Sequence, residues 1–470
     1  MLGAVQALAL LIAAGLVLGG FPASLLFQSL AQPRPLSFVE IGGFFALGVG
    51  ALMLARLAAS ILLRSGYGVL DRLRGGLWAP LLVGFLLRAL SAWLISPEPS
   101  SDGATYLALA MRLADAQPYR TGALVAYWPP GLPLLLAPLL MLLGPGLLTL
   151  AVYGLLCFAA AAVGAWRLSA RLGLADWSPA PVWLLALWPT HVLCTGLPEK
   201  ELLVIALVPW ALVFTLDAWE GPRRSIAAVA GVLVGALLLV QPSFLLLLPV
   251  ALALALLLRK ERLRVLTVSV LVVAGALAVV LPWTYRNYQV LGEPVLISTN
   301  GGGNFYRANN ELATGAYVEH GAVQLDAMSE LEANRMGKVL AFDWMRANPW
   351  DMVKLSLGKA LLFSGDDSYG AYAALRRGMA DLPASIYRAA KLLAAVPWLL
   401  LWAMIAAAAW QLGAAAESRL LVVMSPYYYL LGIHSIFESG GKYHLSALVP
   451  VLVLAVLLVK RATLCARRRS

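Results

Sequence analysis

The feature that most constrains this chain is a succession of long apolar segments separated by short polar loops. Of its 470 residues, 61% are hydrophobic and only 13% are charged, which is far from the balance of a soluble domain. A helix needs roughly 20 apolar residues to cross a bilayer. By that rule we expect spans near residues 4–27, 38–63, 78–95, 148–166, 179–195, 202–218, 225–240, 243–258, 265–282, 389–410, 419–436 and 444–460. The sequence therefore predicts an all-α integral membrane protein with about 12 transmembrane helices, with interfacial helices and a partly helical extracytoplasmic loop region.

The net charge of +11 does not indicate a nucleic-acid-binding protein. The basic residues lie at the ends of apolar spans without interleaved aromatic residues, which is typical of membrane orientation. Alternate loops contain Arg64, Arg72, Arg74, Arg167, Arg171, Arg223, Arg224, Arg259, Lys260, Arg262, Arg264, Arg419, Lys460, Arg461, Arg467, Arg468 and Arg469. The opposite short loops offer only Arg34, Lys200 and Lys442. Since basic loops stay inside, both termini are predicted to be cytoplasmic.

Two loops on the predicted outer side are large, residues 96–147 and 284–388. Within the first, the run 132–143 would be about 18 Å long as a helix, so we expect it to dip into the membrane without crossing. Within the second, we predict a helix from Asp326 to about Asn348 and an interfacial helix from Met352 to Phe363. The resulting organisation is two accessory helices (1–76), a catalytic membrane module (77–283), the outer loop region (284–388), and C-terminal helices with a basic tail (389–470).

Cysteine and metal chemistry receive little support from the sequence. Cys157, Cys194 and Cys465 lie in or beside apolar segments and lack metal-ligand spacing, so we expect neither a disulfide framework nor a zinc site. No cofactor is required by the sequence. Carboxylates in the outer loops could ligate a divalent ion, and that alternative stays open.

Asp102 is the first candidate for chemistry. It precedes an amphipathic stretch, residues 104–114, and should lie near the N-terminus of a helix on the membrane surface. A helix N-terminus keeps a carboxylate ionised, so that it can accept a proton from an attacking hydroxyl or orient it. The alternative is a helix cap, a role that aspartate often takes.

A charge cluster, Pro198-Glu199-Lys200-Glu201, follows at the outer junction of two apolar spans. In a functional interpretation Glu201 or Glu199 is a partner of Asp102, and Lys200 is a counter-ion for phosphate. The alternative is a solvated turn that caps the next helix.

Four further side chains could hold an anionic head group, namely Arg286, Arg307, Lys442 and His444. Phosphate favours the bidentate fork of arginine, so the two arginines are the stronger candidates. For Lys442 alone, snorkelling to the interface is the favoured alternative. The run 301–303, three glycines, could form an anion-binding nest of backbone N–H groups or a flexible loop.

Arg88 lies inside the third predicted span. Facing lipid at that depth is costly, so the side chain must face the bundle interior or water. We interpret Arg88 as structural, with Glu40 as a candidate partner.

Taken together, these segments resemble the type C superfamily of membrane glycosyltransferases, particularly bacterial relatives of protein O-mannosyltransferases and of the lipid A aminoarabinose transferase. The resemblance covers about residues 77–460. It depends on Asp102 in the first outer loop, Tyr127-Trp128-Pro129-Pro130-Gly131-Leu132-Pro133, Pro282-Trp283-Thr284-Tyr285-Arg286-Asn287, Ser298-Thr299-Asn300-Gly301-Gly302-Gly303-Asn304-Phe305-Tyr306, Asn309-Asn310, Ala313-Thr314-Gly315-Ala316-Tyr317 and Gly441-Lys442-Tyr443-His444.

The resemblance implies transfer of a sugar from a polyprenyl-phosphate donor to a lipid, glycan or protein hydroxyl, with inversion, outside the cytoplasm of a bacterium and in its inner (plasma) membrane. Asp102 then inherits the role of general base or acceptor-orienting acid. The second acid is assigned to Glu201, with Glu199 nearby. Phosphate binding is assigned to Lys200, Arg286, Arg307, Lys442 and His444, although the family often has arginine where Lys442 stands. Substrate binding is assigned to Tyr106, Tyr127, Trp128, Asn300, Gly302, Asn304 and Tyr306.

Two other classes of protein compete with this interpretation. A transporter or flippase of lipid-linked sugars usually has internal repeats and ionisable groups near the bilayer midplane. Here no clear repeat is found, and the candidate groups lie at the outer interface. A non-catalytic assembly factor would tolerate replacement of Asp102.

Overall fold

The protein is built almost entirely from helices. A computed structural model describes residues 2–30, 32–221, 223–258, 261–379, 382–415 and 420–467. In this part of the chain the only β pairing is an isolated antiparallel bridge between Thr121 and Leu124. The predicted all-α membrane fold is therefore confirmed.

The first ten helices are α1 (Leu2–Ser29), α2 (Phe38–Leu57), α3 (Ala59–Arg72), α4 (Trp78–Ile95), α5 (Ser101–Ala114), α6 (Gly131–Leu143), α7 (Leu147–Arg171), α8 (Pro179–Ala186), α9 (Pro189–Leu193) and α10 (Lys200–Glu220). The remaining helices are α11 (Arg224–Val240), α12 (Leu247–Leu258), α13 (Arg262–Leu291), α14 (Asn300–Ala308), α15 (Glu330–Ala347), α16 (Pro349–Gly365), α17 (Tyr369–Ala371), α18 (Ala384–Leu412), α19 (Leu420–Ile436) and α20 (Leu448–Arg467). Short 3-10 segments cover Ala175–Trp177, Pro242–Phe244, Gly413–Ala415 and His444–Ala447, and a π-helical segment covers Tyr372–Arg377.

Eight helices among the described residues are long and apolar enough to cross a membrane, namely α1, α2, α4, α7, α10, α13, α18 and α20. The helices α11, α12 and α19 are apolar but shorter, and each coincides with a predicted span. The predicted break at Gln241-Pro242 separates α11 from α12. The predicted dipping segment is the 13-residue helix α6, which ends at Leu143 and is capped by Gly144 with a φ of 75°.

The predicted span 179–195 is not one continuous helix. The helix α8 ends at Ala186, and α9 starts at Pro189. Between them Trp188 is extended, with φ −69° and ψ 113°, because a residue before proline is disfavoured in the helical region. The break leaves carbonyl groups of α8 without helical partners inside the bundle.

Arg88 supplies the missing hydrogen bonds. Its guanidinium donates to the carbonyl oxygens of Leu185 and Ala186, both at 2.9 Å, and to Nδ1 of His191 at 3.3 Å. It also lies 3.7 Å from the ring centroid of Phe158, and the whole side chain is buried. The structural role of Arg88 is therefore confirmed.

The candidate pairing of Arg88 with Glu40 is wrong. Glu40 is the last member of a capping box at the start of α2, where Ser37 is the cap. Its carboxylate accepts two hydrogen bonds from Arg34, at 2.6 and 2.9 Å. The carboxylate is therefore used locally at the end of its own helix.

Replacing Arg88 with methionine should destabilise the protein by about 3 kcal/mol, because two buried carbonyls and His191 would lose their donor. The free energy of unfolding, from denaturant titration of the purified protein in detergent, measures this effect. Arg64→Met is the matched control, since Arg64 is exposed on α3. Equal stability of the two variants would contradict the bracing role.

Basic residues from distant segments gather at one end of the bundle. Arg74 lies 3.7 Å from Asp176, and both Arg74 and Lys460 lie over the ring of Trp177, at 5.7 and 5.5 Å from its centroid. This grouping agrees with the predicted two-sided charge distribution, while the cytoplasmic location of that end stays a prediction. Among the basic residues on which the topology depends, Arg259, Lys260, Arg419, Arg468 and Arg469 lie outside the described residues.

The outer region is more helical, and more tightly packed, than the sequence indicates. The three-glycine run lies inside α14, so it forms neither a nest nor a flexible loop. At Gly302 a Cβ atom would lie 1.9 Å from the carbonyl oxygen of Asn334, and at Gly337 it would lie 2.5 Å from the carbonyl oxygen of Gly302. These glycines allow α14 and α15 to cross in backbone contact.

The helix α16 was predicted to be interfacial, and its C-terminal half is instead buried in protein. At Gly365 a Cβ atom would lie 2.0 Å from the carbonyl carbon of Gly20 in α1. Lys359, which the prediction placed at a membrane surface, is fully buried. Its ammonium donates to the carbonyl oxygens of Ala308 and Ile436, both at 2.8 Å, so it joins three segments of the outer region.

Candidate functional site

Asp102 and Lys442 meet at one end of the bundle, the end predicted to be the outer one, although 340 positions separate them in the sequence. Asp102 lies in the first turn of α5, as predicted, but the N-cap is Ser100. Its Oδ2 atom is 3.6 Å from Nζ of Lys442, and the side chains are 45% and 23% exposed. The carboxylate is thus directed at a cation across the site, in place of a capping role.

The Pro198–Glu201 turn borders this pair. At Gly103 a Cβ atom would lie 3.3 Å from the ring of Pro198, so α5 packs closely against the turn. Helix α10 begins within this segment, at Lys200. The hydroxyl of Tyr153 on α7 donates a hydrogen bond of 2.7 Å to the carbonyl oxygen of Glu199. The two charged segments selected from the sequence therefore lie side by side.

The charges around Asp102 favour its ionised form. Partial burial raises the pKa of Asp102, and the positive charges of Lys442, Lys200 and Arg377 outweigh it, so that the pKa lies below its usual value. Asp102 is therefore an ionised acceptor at neutral pH.

Glu199 and Glu201 form a second acidic element behind the pair. The Glu201 side chain is 3% exposed, and Tyr369 donates a hydrogen bond of 3.0 Å to Oε2 of Glu199. Burial and the neighbouring Glu201 charge raise the pKa of Glu199 to about 8. Glu199 therefore favours its neutral, protonated form at neutral pH.

Lys442 is held charged between these acids. Burial lowers the pKa of Lys442, but Tyr443, Tyr369, Glu201 and Asp102 raise it well above its usual value. Its ammonium lies 5.2 Å from the ring centroid of Tyr443 and 5.8 Å from that of Tyr369. Snorkelling alone does not account for a lysine in this position, because its head group points into the protein.

Arg307, another predicted phosphate ligand, lies on α14. Its guanidinium is 3.5 Å from the hydroxyl of Tyr127, also contacts Asn304, and lies 5.7 Å from the ring centroid of Tyr317. Burial raises the pKa of Tyr317, and the charge of Arg307 lowers it. Arg307 therefore lies among the aromatic side chains of the outer loops, beside Tyr127 and Tyr317.

Three aromatic rings pack together in the first of the two large loops, residues 96–147. Tyr106, buried on α5, packs edge-on against Trp128 at a centroid distance of 5.3 Å, and Tyr127 does the same from the other side. Tyr106, Tyr127 and Trp128 were all selected from the sequence, and the structure brings them together.

Two of the predicted phosphate ligands lie elsewhere. Arg286 donates to the carbonyl oxygens of Val125 at 2.6 Å and Tyr119 at 2.8 Å. Its guanidinium also lies 4.8 Å from the ring centroid of Trp283. Arg286 therefore braces the first outer loop against the end of α13, in place of the predicted phosphate contact.

His444 is fully buried behind the site. Its Nδ1 atom is 2.6 Å from the carbonyl oxygen of Phe363, its Nε2 atom is 3.4 Å from Oδ1 of Asp367, and its ring stacks on Trp398. His444 therefore anchors the segment that carries Lys442, and it does not face the mouth as predicted.

Of the predicted substrate residues on α14, one contacts Arg307 and the others make hydrogen bonds within the surrounding loop region. Asn304 contacts Arg307, as described above. The N–H of Gly302 donates to Oδ1 of Asn334 at 2.9 Å, and the hydroxyl of Tyr306 accepts from the N–H of Val323 at 2.9 Å. Asn300 accepts from the hydroxyl of Ser298 at 2.9 Å. Gly302 and Tyr306 thus serve internal packing in place of the predicted substrate contact.

Glu330 joins the two large loops by hydrogen bonds, and the sequence does not indicate this role. Its carboxylate accepts from the N–H groups of Val125 at 2.8 Å and Ala126 at 2.9 Å, and from the hydroxyl of Thr299 at 2.5 Å. These bonds fix the segment leading into Tyr127 against the second outer loop. Nothing in the local sequence distinguishes Glu330 from the other acids of that loop.

Replacing Glu330 with glutamine should increase hydrogen exchange at the amides of Val125 and Ala126 by about tenfold, because charge-assisted hydrogen bonds are lost. Hydrogen–deuterium exchange with mass spectrometry measures it. Glu311→Gln is the control, since Glu311 is exposed in the same outer region. Unchanged protection in the Glu330 variant would contradict the clamp.

The described residues contain no group of three His, Cys, Asp or Glu side chains arranged to hold a metal ion. At the candidate site the cation between the carboxylates is the Lys442 ammonium, 3.6 Å from Asp102. The divalent-metal alternative stays a prediction.

Part of the chain matches the model of one protein family. Residues 125–287 match the model of a family described as a 6-pyruvoyl-tetrahydropterin synthase related domain and membrane protein. No curated protein matches the chain. Among solved structures, the chain is similar to an oligosaccharyltransferase from Archaeoglobus fulgidus, crystallised with a tethered acceptor peptide, with a TM-score of 0.48 and 12% identity. The match covers 81% of this chain and 49% of that protein, so this chain spans about half its length.

Proposed function

We propose that this protein is a membrane glycosyltransferase of type C that moves a sugar from a polyprenyl-phosphate donor to a hydroxyl of a lipid, glycan or protein. The observation that carries the proposal is the Asp102–Lys442 pair, 3.6 Å apart at the mouth of a membrane bundle. An ionised acid beside a set of cations meets both needs of glycosyl transfer, which are activation of a hydroxyl and stabilisation of a leaving phosphate. The sequence resemblance supports the same reaction.

In the proposed step the acceptor oxygen attacks the anomeric carbon and its proton passes to the Asp102 carboxylate. The bond between the anomeric carbon and the phosphate oxygen breaks, and its electron pair leaves with the lipid phosphate. One direct displacement inverts the configuration at that carbon. The low pKa of Asp102, in which Lys442, Lys200 and Arg377 outweigh the effect of burial, supports this role.

The cations of the site are suited to the departing phosphate. Lys442 is the central one, since it already neutralises Asp102 and faces the buried Glu201. Arg307 on α14 and Lys200 at the start of α10 are further candidate cations. In this proposal Glu201 and Glu199 are positioning residues, because they hold Lys442 charged and do not touch the reacting atoms.

The proposed setting is the inner (plasma) membrane of a bacterium, with the site on the periplasmic or exterior face and both termini in the cytoplasm. A long lipid tail can then stay in the bilayer while its phosphate enters the mouth from the side. No nucleotide-binding domain is needed, since the donor carries its sugar on a lipid.

The test is an assay of the purified full-length protein with synthetic polyprenyl-phosphate sugars and a panel of acceptors. We expect acceptor-dependent release of polyprenyl phosphate and a product of inverted configuration. The same assay with EDTA, Mg²⁺ or Mn²⁺ tests the divalent-metal prediction. Movement of an intact donor across proteoliposomes without cleavage would instead identify a transporter.

A further inference from the structure

A second charged site lies at the opposite end of α10 from Lys200. The helix runs from Lys200 to Glu220, so the two ends are about 30 Å apart. There an open cavity of about 710 Å³ lies between Gly221 and Arg223 on one side and the start of α13 at Arg262 on the other. The proposed reaction makes no use of this cavity.

The cavity is strongly positive. Four arginines and one glutamate line it, namely Arg223, Arg224, Arg262, Arg264 and Glu261. Arg264 is 3.4 Å from Glu261, whereas no ion pair is seen within the described residues for the other three arginines. Guanidinium groups collected around one space suit phosphate oxygens, which they bind in a bidentate manner.

A preference for basic residues at this end of the bundle does not by itself explain the arrangement. At the end of α7, Arg171 is paired with Asp217 of α10 at 2.6 Å and also with Glu220 of α10. Arg223, Arg224 and Arg262 line the cavity and are exposed, so their guanidinium groups are accessible to an anion from outside the chain.

Below the arginines the cavity wall becomes apolar. Thr267, Val268 and Leu271 of α13 line it, and Leu263 and Val270 expose 78% and 61% of their surface to the surroundings of the bundle. A cationic rim above an exposed apolar helix surface matches an amphiphile that has an anionic head and acyl chains.

The helices that carry two of these arginines, α11 and α13, cross in backbone contact. At Gly231 a Cβ atom would lie 2.5 Å from the carbonyl oxygen of Val272, and at Gly275 it would lie 3.1 Å from the carbonyl oxygen of Ala228. These two closely packed helices carry Arg224 and Arg262 as their first residues, so both arginines lie at the same edge of the cavity.

We propose that this cavity binds the anionic head group of a phospholipid from the leaflet opposite the candidate active site. The arginines contact the phosphate, and the acyl chains lie along the exposed face of α13. The same phosphate chemistry could come from free inorganic phosphate, and the experiment separates the two sources. This proposal is independent of the glycosyltransferase proposal.

The test uses native mass spectrometry of the full-length protein in detergent with added phosphatidylglycerol, cardiolipin, phosphatidylcholine or inorganic phosphate. We expect the anionic lipids to remain bound and phosphatidylcholine to be lost. The double variant Arg224→Gln/Arg262→Gln should retain anionic lipid about tenfold less well, because each cation near an anionic head group contributes to binding. Its matched control is Arg64→Gln/Arg72→Gln, which removes two exposed charges from α3.

A second variant, Thr267→Trp, keeps every arginine and fills the apolar part of the cavity. It should also lose anionic lipid, so the proposal stays testable if the arginine variant does not fold. Equal lipid loss in the control, equal retention of phosphatidylcholine, or displacement of the lipid by millimolar inorganic phosphate would each overturn the proposal.

Discussion

Replacing Asp102 with asparagine should lower kcat for sugar transfer by about 10²- to 10⁴-fold, the usual contribution of a positioned general base. Asparagine has the same size but cannot take a proton from the acceptor hydroxyl. It also removes the negative charge that lies 3.6 Å from the Lys442 ammonium in the native protein. Release of polyprenyl phosphate by the purified variant measures the loss.

Asp115→Asn is the matched control for this prediction. Asp115 is exposed at the C-terminal end of the same helix, α5, far from Lys442. Its variant should turn over at the normal rate. If Asp102→Asn also turns over normally, while its lipid-phosphate release still depends on acceptor, then Asp102 is not the base.

Local patterns predicted the parts of the site that depend on neighbouring residues. The amphipathic stretch after Asp102 places that residue in the first turn of a surface helix, and α5 has this form. The charge cluster ending at Glu201 lies at the start of α10 for the same reason, because the apolar span begins there. Both inferences require only helix periodicity and the length of an apolar run.

Long-range contacts could not be predicted in the same way. The pairing of Asp102 with Lys442 and the clamp of Glu330 on Val125 join residues that are distant in the sequence. A single sequence gives no signal for such pairs, because an exposed and a paired acid look the same. His444 was misplaced for the same reason, since only the packed structure reveals Asp367 beside it.

The glycine run was misread for a different reason. Three consecutive glycines have low helix propensity and favour a loop by composition alone. In the folded protein α14 must cross α15 in backbone contact, and at Gly302 any side chain would strike Asn334. Tertiary packing thus overrides local propensity. It also gives Gly302 a structural role where the sequence predicted a substrate contact.

Replacing Lys442 with methionine should lower kcat/KM by about 10²- to 10³-fold, the usual cost of removing one group that stabilises a developing anion. Methionine keeps the length and apolar stem of the side chain but removes the charge. Lys442→Arg is the conservative variant and should recover most of the activity, because arginine also binds phosphate. Lys338→Met controls for charge loss at an exposed position.

The same variant should change the pH dependence in a defined direction. In the native site burial raises the pKa of Asp102, and Lys442 is the first of the charges that lower it. Without Lys442 the pKa of Asp102 must rise. Because the proposed base acts only when ionised, the acidic limb of the rate profile should move to higher pH in Lys442→Met and stay in place in Lys442→Arg.

This shift separates catalysis from simple loss of structure. A misfolded or loosened variant loses activity at every pH, whereas a change in the pKa of Asp102 moves one limb of the profile. The pH dependence of kcat/KM between pH 4 and pH 9 provides the measurement. Superimposable profiles for Lys442→Met and the native protein would mean that the charge of Lys442 does not act on the base, and the proposed arrangement of acid and cation would then be wrong.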